Sequence, residues 1–278
     1  MKTFIKWLGN KSKSKKKIMG YFPIEYKTYI EPFLGSGAIF LDVCPKYWII
    51  NDVNTDLMDL WKHIKDSLPN LLKNIKVFSE MFLELDRENK KQICKSIVHK
   101  LNNMKAGPKR SSYYLLMKYC VFLGILLYVN DKFYFRGLEQ NFYNESYIPF
   151  FSKNTFVTNL QSINSFLNET NGSIHNTDYK TILKMAKKSD FVFMDPPYKG
   201  EKNYNFKYNS NENINDQFIN ELGKECSKLD NKNVYWLMTQ ADTPLVRKLF
   251  SKYNIHEITV YRRGQNIYEK ELIIRNYK

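Results

Sequence analysis

The chain holds only four cysteines and four histidines in 278 residues. Cys44, Cys94, Cys120 and Cys226 form no Cys-x-x-Cys pair and have no histidine cluster beside them, which argues against a disulfide framework and a zinc site. They read as reduced core thiols of an intracellular, cytoplasmic protein. His63, His99, His175 and His256 stand at no metal-binding or catalytic spacing, so no metal is expected. Long apolar runs are missing too. The longest, residues 119–129, is too short to cross a bilayer and reads as a buried helix, and the N-terminus lacks the apolar core of a secretory signal. Neither observation points to a membrane. Acidic residues are outnumbered: 28 Asp and Glu face 43 Lys and Arg, a formal charge of +15. A polyanionic partner is the simplest physical reason to tolerate that self-repulsion. Compositional drift is the alternative, since Lys, Asn, Ile and Tyr abound throughout.

Hydrophobic residues make up 43% of the chain and aromatic residues 15%. Such a composition is ordered, and the length suits one large domain or a domain carrying an insertion. Residues 28–31 form a short β-type run that meets Pro32-Phe33-Leu34-Gly35-Ser36-Gly37. An apolar helical stretch (38–43), a second strand (47–51) and a helix with Leu57, Leu60, Trp61 and Ile64 at helical spacing follow. This alternation is a doubly wound α/β start. From about 68 to 129 the periodicity is helical and rich in lysine. Residues 131–151 are aromatic and turn-rich, which predicts a hairpin or extended loop. Strand–helix alternation resumes near 173, with strands at 173–176, 191–194, 234–239, 255–261 and 272–275. An α/β sheet interrupted by a mostly helical insertion is the economical reading.

Gly35 and Gly37 lie between a strand and a helix, where the missing Cβ atoms let a ligand approach the backbone. Asp52 ends the next strand, where a carboxylate can accept hydrogen bonds from ribose hydroxyls. The pairing suits an adenosine cofactor, although a plain tight turn has the same signature. A sharper signal is the buried run Phe191-Val192-Phe193-Met194, which ends in Asp195-Pro196-Pro197-Tyr198. Two prolines cannot continue a central strand. An acid and an aromatic therefore stand at a strand's carboxyl end, where open α/β sheets bind ligands; the bland alternative is a strand terminator. The tetrapeptide also has a chemical rationale. An exocyclic adenine amine is a poor nucleophile, because its lone pair is delocalised into the ring. Asp195 and the Pro196 carbonyl can accept hydrogen bonds from its two N–H groups, and Tyr198 offers a flat face to an extruded base. Methyl transfer from a sulfonium is then positioning plus electrostatics.

Four segments carry a resemblance: residues 4–11 (Phe-Ile-Lys-Trp-Leu-Gly-Asn-Lys), 31–37 (Glu-Pro-Phe-Leu-Gly-Ser-Gly), 51–57 (Asn-Asp-Val-Asn-Thr-Asp-Leu) and 195–198 (Asp-Pro-Pro-Tyr). In that order they resemble the DNA adenine methylase (Dam-like) family of N6-adenine methyltransferases, over most of the chain and including Glu271-Leu272-Ile273-Ile274. The resemblance implies a Rossmann-like S-adenosylmethionine-dependent methyltransferase sheet, formed by residues 1–55 and 161–278. Its inserted helical target-recognition domain is then 56–160. It implies Trp7 and Lys11 beside the cofactor S-adenosylmethionine, with Lys11 near the methionine carboxylate. It further implies Phe33, Gly35 and Gly37 in the cofactor turn, Asp52 on the ribose, Asp178 and Tyr179 flanking the cofactor adenine, and Asp195 to Tyr198 as the catalytic segment. The partner is double-stranded DNA, the enzyme a monomer, and a short GATC-like site rests on the resemblance alone. Asn10 stands where the family usually has a second glycine; Asn tolerates positive φ better than most residues.

The same tetrapeptide logic serves N4-cytosine and RNA adenine methylation, and an inactive DNA-binding homologue keeps the fold. Candidate DNA contacts are Lys105, Lys109 and Arg110, where basic and aromatic residues interleave. Arg136 is another candidate, as a reader of a guanine edge. For each, surface decoration or a structural salt bridge is the competing reading. The lysine run 11–17 reads as a phosphate contact, an import signal or a solvated face. Residues 199–213 read as a loop closing over the site or as an ordinary surface loop.

Overall fold

The computed structural model describes residues 1–121, 124–130, 132–135, 137, 153–198, 216–262 and 267–278. The chain divides into two compact units. One joins Met1–Asn10 to residues 54–169, and the other joins Lys11–Val53 to the described residues from 170 onward. The division read from the sequence put 1–55 with the sheet. Met1–Asn10 instead pack in the helical unit for a physical reason: Phe4 is wholly buried and meets Trp61 edge-on at 4.8 Å. Its carbonyl also accepts the Tyr119 hydroxyl at 2.7 Å.

The sheet unit has β1 (Tyr29–Glu31), β2 (Tyr47–Asn51), β5 (Asn171–His175), β6 (Phe191–Met194), β7 (Tyr235–Ala241), β8 (Asn254–Arg262) and β9 (Ile267–Arg275). Their order across the sheet is β5-β2-β1-β6-β7-β9-β8. The first five are parallel, and β9 runs antiparallel between β7 and β8. Ile30, Val192, Met194, Trp236, Met238 and Ile274 pack in one core with α8 (Tyr179–Met185), α9 (Asp216–Asn231) and α10 (Pro244–Leu249). Tyr29 and Phe191, neighbours of those residues along their strands, meet edge-on at 5.9 Å, and Phe22 packs on Phe191 at 4.6 Å. Burial on both faces explains why the central strands read as unbroken apolar runs. Gly172 of β5 leaves room for Trp48, since a Cβ there would lie 1.9 Å from the indole.

The helical unit carries α3 (Thr55–Asp66), α4 (Leu68–Leu83), α5 (Arg87–Asn103), α6 (Pro108–Cys120) and α7 (Asn154–Glu169). Helix α3 starts at Asn54, whose side chain accepts from the Leu57 amide at 2.9 Å, a side-chain cap of the usual kind. The apolar run 119–129 is not one buried helix: α6 ends at Cys120, Gly124 takes a positive φ of 69°, and β3 (Leu127–Val129) follows. β3 pairs antiparallel with β4 (Lys132–Tyr134), so a hairpin forms slightly before the place expected for it. Most of 131–151 lies outside the described residues. Asn102 of α5 holds β4 by accepting from the Phe133 amide at 2.7 Å and donating to its carbonyl at 2.9 Å.

Candidate active site

In the sheet unit, the chain leaves β1 toward β2 on one side, and β6 lies on the other. That gap is the switch point of a doubly wound sheet, where ligands bind beyond the strands' carboxyl ends. β1 and β6 are paired in register, Tyr29 with Phe191 and Ile30 with Val192. The glycine turn after β1 and the Asp-Pro-Pro-Tyr segment after β6 therefore emerge side by side on one edge.

Gly35 and Gly37 both take positive φ, 50° and 65°, a region that favours glycine. The Gly35 amide donates to Asp52 Oδ2 at 2.9 Å, tying the turn to the end of β2. Buried Asn51 ties three strand ends together. Its amide donates to the carbonyls of Pro32 and Thr177, both at 3.0 Å, and its oxygen accepts from the Thr177 amide at 2.9 Å. The next residue, Asp178, is exposed and caps α8 by accepting from Lys180 N at 2.8 Å. Tyr179 is buried against Phe33, with ring centroids 5.1 Å apart. The structure thus brings together Phe33, Gly35, Gly37, Asp52, Asp178 and Tyr179.

Asp195 follows directly on β6, and its side chain is 19% exposed. Its Oδ1 receives Lys11 Nζ at 2.7 Å, Thr239 Oγ1 at 2.6 Å and the Tyr198 hydroxyl at 3.3 Å. Lys11 also lies 3.8 Å from Glu271 Oε1 and stands over the Tyr198 ring, 4.9 Å from its centroid. Lys11, expected near a cofactor carboxylate, is here the partner of the Asp-Pro-Pro-Tyr acid. Pro196 is buried and Pro197 half-buried. Buried Glu31 links the two halves of the site. Burial pushes its carboxyl well above the usual range, the Tyr29 hydroxyl at 2.7 Å opposes this, and the nearby Asp195 and Asp52 charges raise it further. Glu31 thus feels the charge of an acid beside the glycine turn and of one after β6, and Lys11 pairs with the latter.

The remaining candidates belong to the helical unit or fall outside the described residues. Trp7 carries the Lys118 ammonium 4.7 Å from its ring centroid. Lys118 is buried in α6, and desolvation lowers it to about 7. Lys105 and Lys109 are exposed, Lys109 in the first turn of α6. Arg110 turns inward instead: its guanidinium pairs with buried Asp56 at 2.6 Å and donates to the Leu101 carbonyl. Arg136 and residues 199–213 lie outside the described residues. At the opening motif the positive φ falls on Gly9, at 77°, and not on Asn10, so the departure from the family pattern costs the turn nothing. Cys44 is exposed and the other three cysteines are buried, so not every thiol lies in the core. Among the described residues no group of His, Cys, Asp or Glu is arranged to hold a metal. None of their helices is long and apolar enough to cross a membrane.

Thr239, Glu31 and Glu271 join the site without being singled out by the sequence. Thr239 had a legible signal: an apolar strand, Tyr235-Trp236-Leu237-Met238, turns polar at the residue beside Asp195.

A doubly wound sheet with a glycine turn, a strand-end acid and an Asp-Pro-Pro-Tyr segment at its switch point is the layout of an α/β protein that binds its ligand beyond the strand ends. Comparison with known proteins is more specific: the model of the D12 class N6 adenine-specific DNA methyltransferases matches residues 7–263, and the chain belongs to that family. It is 26% identical to the Type II methyltransferase M1.LlaDCHI of Lactococcus lactis, over the whole chain and 96% of that relative. The Type II methyltransferase M.MjaIII of Methanocaldococcus jannaschii is 27% identical over the whole chain and 99% of its own length. A DNA adenine methylase of Haemophilus influenzae is 25% identical over 98% of the chain and 91% of its own.

Proposed function

We propose that this adenine-specific DNA methyltransferase takes an adenine out of the stack of duplex DNA and moves a methyl group from S-adenosylmethionine to its N6. The carrying observation is the junction of the glycine turn and the Asp195 segment at one switch point, set by the in-register pairing of β1 with β6. The residues present fit such a cofactor by their chemistry. Asp52 supplies acceptors for ribose hydroxyls, Asp178 an acceptor for an adenine amine, and Phe33 and Tyr179 a pair of rings for an adenine edge. When bound, S-adenosylmethionine supplies an electrophilic methyl group. The chain's own part is to hold the nucleophile. Asp195 and the Pro196 carbonyl accept hydrogen bonds from the N6 amine, drawing its hydrogens out of the ring plane so that the lone pair leaves conjugation and faces the methyl group, and Tyr198 stacks on the base. Lys11 is shared between this acid and the cofactor end of the site. In this reading the sheet unit is catalytic and the helical unit recognises the target.

DNA binding is supported by the charge of +15 and by exposed Lys105 and Lys109. A lysine in the first turn of α6, which holds no acidic residue there, opposes the helix dipole. A phosphate would relieve that. The test is nucleoside analysis of duplex DNA incubated with labelled S-adenosylmethionine. N6-methyladenine is the expected product; label in N4-methylcytosine, or in RNA alone, overturns the reading. Asp195→Ala should lower transfer about 1000-fold or more while calorimetric cofactor binding persists. Lys105→Ala and Lys109→Ala should each weaken DNA binding and reduce its salt slope by about one.

A further inference from the structure

We propose that Thr239 is a positioning residue for methyl transfer, its hydroxyl fixing the Asp195 carboxylate so that the second oxygen meets the base amine. The inference rests on the function proposed above and names a residue of the same site.

β7 lies parallel to β6 with Met238 opposite Met194, so Thr239 and Asp195 are the next pair along the two strands. Its hydroxyl is the shortest contact at Asp195, 2.6 Å. Among the described residues three donors reach this acid, and all converge on Oδ1; Oδ2 has none among them. A carboxylate held through one oxygen presents the other as an acceptor in a defined direction. The three donors differ in how firmly they hold. Lys11 is long, rotatable and divided between Asp195 and Glu271. The Tyr198 hydroxyl stands at 3.3 Å, beyond the usual range for a strong O–H to carboxylate bond. Thr239 is fully buried, sits on a central strand between β6 and β9, and is β-branched, hence stiff at χ1. It is the donor that stays in place when the lysine is drawn elsewhere. Apolar packing asks for a residue of this shape here but not for a hydroxyl. Valine fills the same volume, and all five residues just before it in the chain are apolar.

The experiment compares Thr239→Val, which removes the donor, with Thr239→Ser, which keeps it, in the full chain. Methyl transfer from labelled S-adenosylmethionine to duplex DNA is followed at steady state, with cofactor affinity measured separately by calorimetry. Thr239→Val should lower kcat by about 10- to 100-fold, the cost of a misdirected reacting group. KM for DNA and cofactor affinity should stay within about threefold of the parent. Thr239→Ser should recover most of kcat despite lacking the methyl. Equal kcat for Thr239→Val and the parent overturns the inference and leaves the functional reading standing. So does a serine variant as slow as the valine one, since that assigns the loss to packing. A parent enzyme that transfers no methyl to adenine overturns the reading and the inference together.

Discussion

The two units bury their charges differently. In the sheet unit most of the buried polar groups collect at one place, the carboxyl ends of β1, β2, β6 and β7, with Asp190 before β6 and Glu225 on α9 apart from them. Asp195 there gathers Lys11, Thr239 and Tyr198. In the helical unit they are scattered and serve the local packing. Arg110 pairs with Asp56, and Lys118 rests against the rings of Trp7 and Tyr114. Under the function proposed above, the contrast teaches that charges concentrated at strand ends belong to a site. A buried charge alone on a helix marks a fold constraint.

Arg110 offers the largest test of that contrast. Arg110→Ala leaves the Asp56 carboxylate buried without its partner and should cost about 3–5 kcal/mol of folding stability, read from denaturant unfolding. If stability holds and DNA affinity falls instead, the contrast between the units breaks. Gly172→Ala probes the sheet unit at a position far in character from its polar edge. A Cβ 1.9 Å from the Trp48 indole should cost about 3 kcal/mol by overpacking. Thermal unfolding should show that loss, while the folded fraction keeps its methyl-transfer rate; an unchanged melting temperature would refute the steric account.

The smallest effect concerns Lys118, whose ammonium burial lowers to about 7 from an ordinary 10.5. Between those values the unfolded chain binds more protons than the folded one, so stability rises with pH across that window. The slope contributed is at most about 1.4 kcal/mol per pH unit. Lys118→Met removes the titrating group and should flatten that rise in unfolding curves taken at pH 7, 8 and 9. Parallel curves for variant and parent would show that the lysine is solvated after all.

Much of the sheet unit was legible because its strands are buried on both faces and end abruptly. Phe191–Met194 falls where the apolar run before two prolines predicts it, and Tyr47–Asn51 likewise. The helical unit was less so. Run 119–129 is as apolar as a helix core, yet Gly124 lies so close to Lys6 that a Cβ would meet it at 2.6 Å, and the chain turns there into β3. The N-terminal ten residues carry a motif that reads with the sheet, but the burial of Phe4 commits them to the helices. Arg110 has the composition of a DNA contact and the location of an interior ion pair.

Local sequence determined where strands stop, which turns need glycine and which tetrapeptide carries the acid, because proline and glycine act on the backbone at their own positions. Which groups meet that acid was decided only by the tertiary structure. Lys11, Thr239 and Glu271 are distant from Asp195 along the chain; strand order and register bring Thr239 and Glu271 to it, and the short helical turn Lys11–Lys13 brings the lysine.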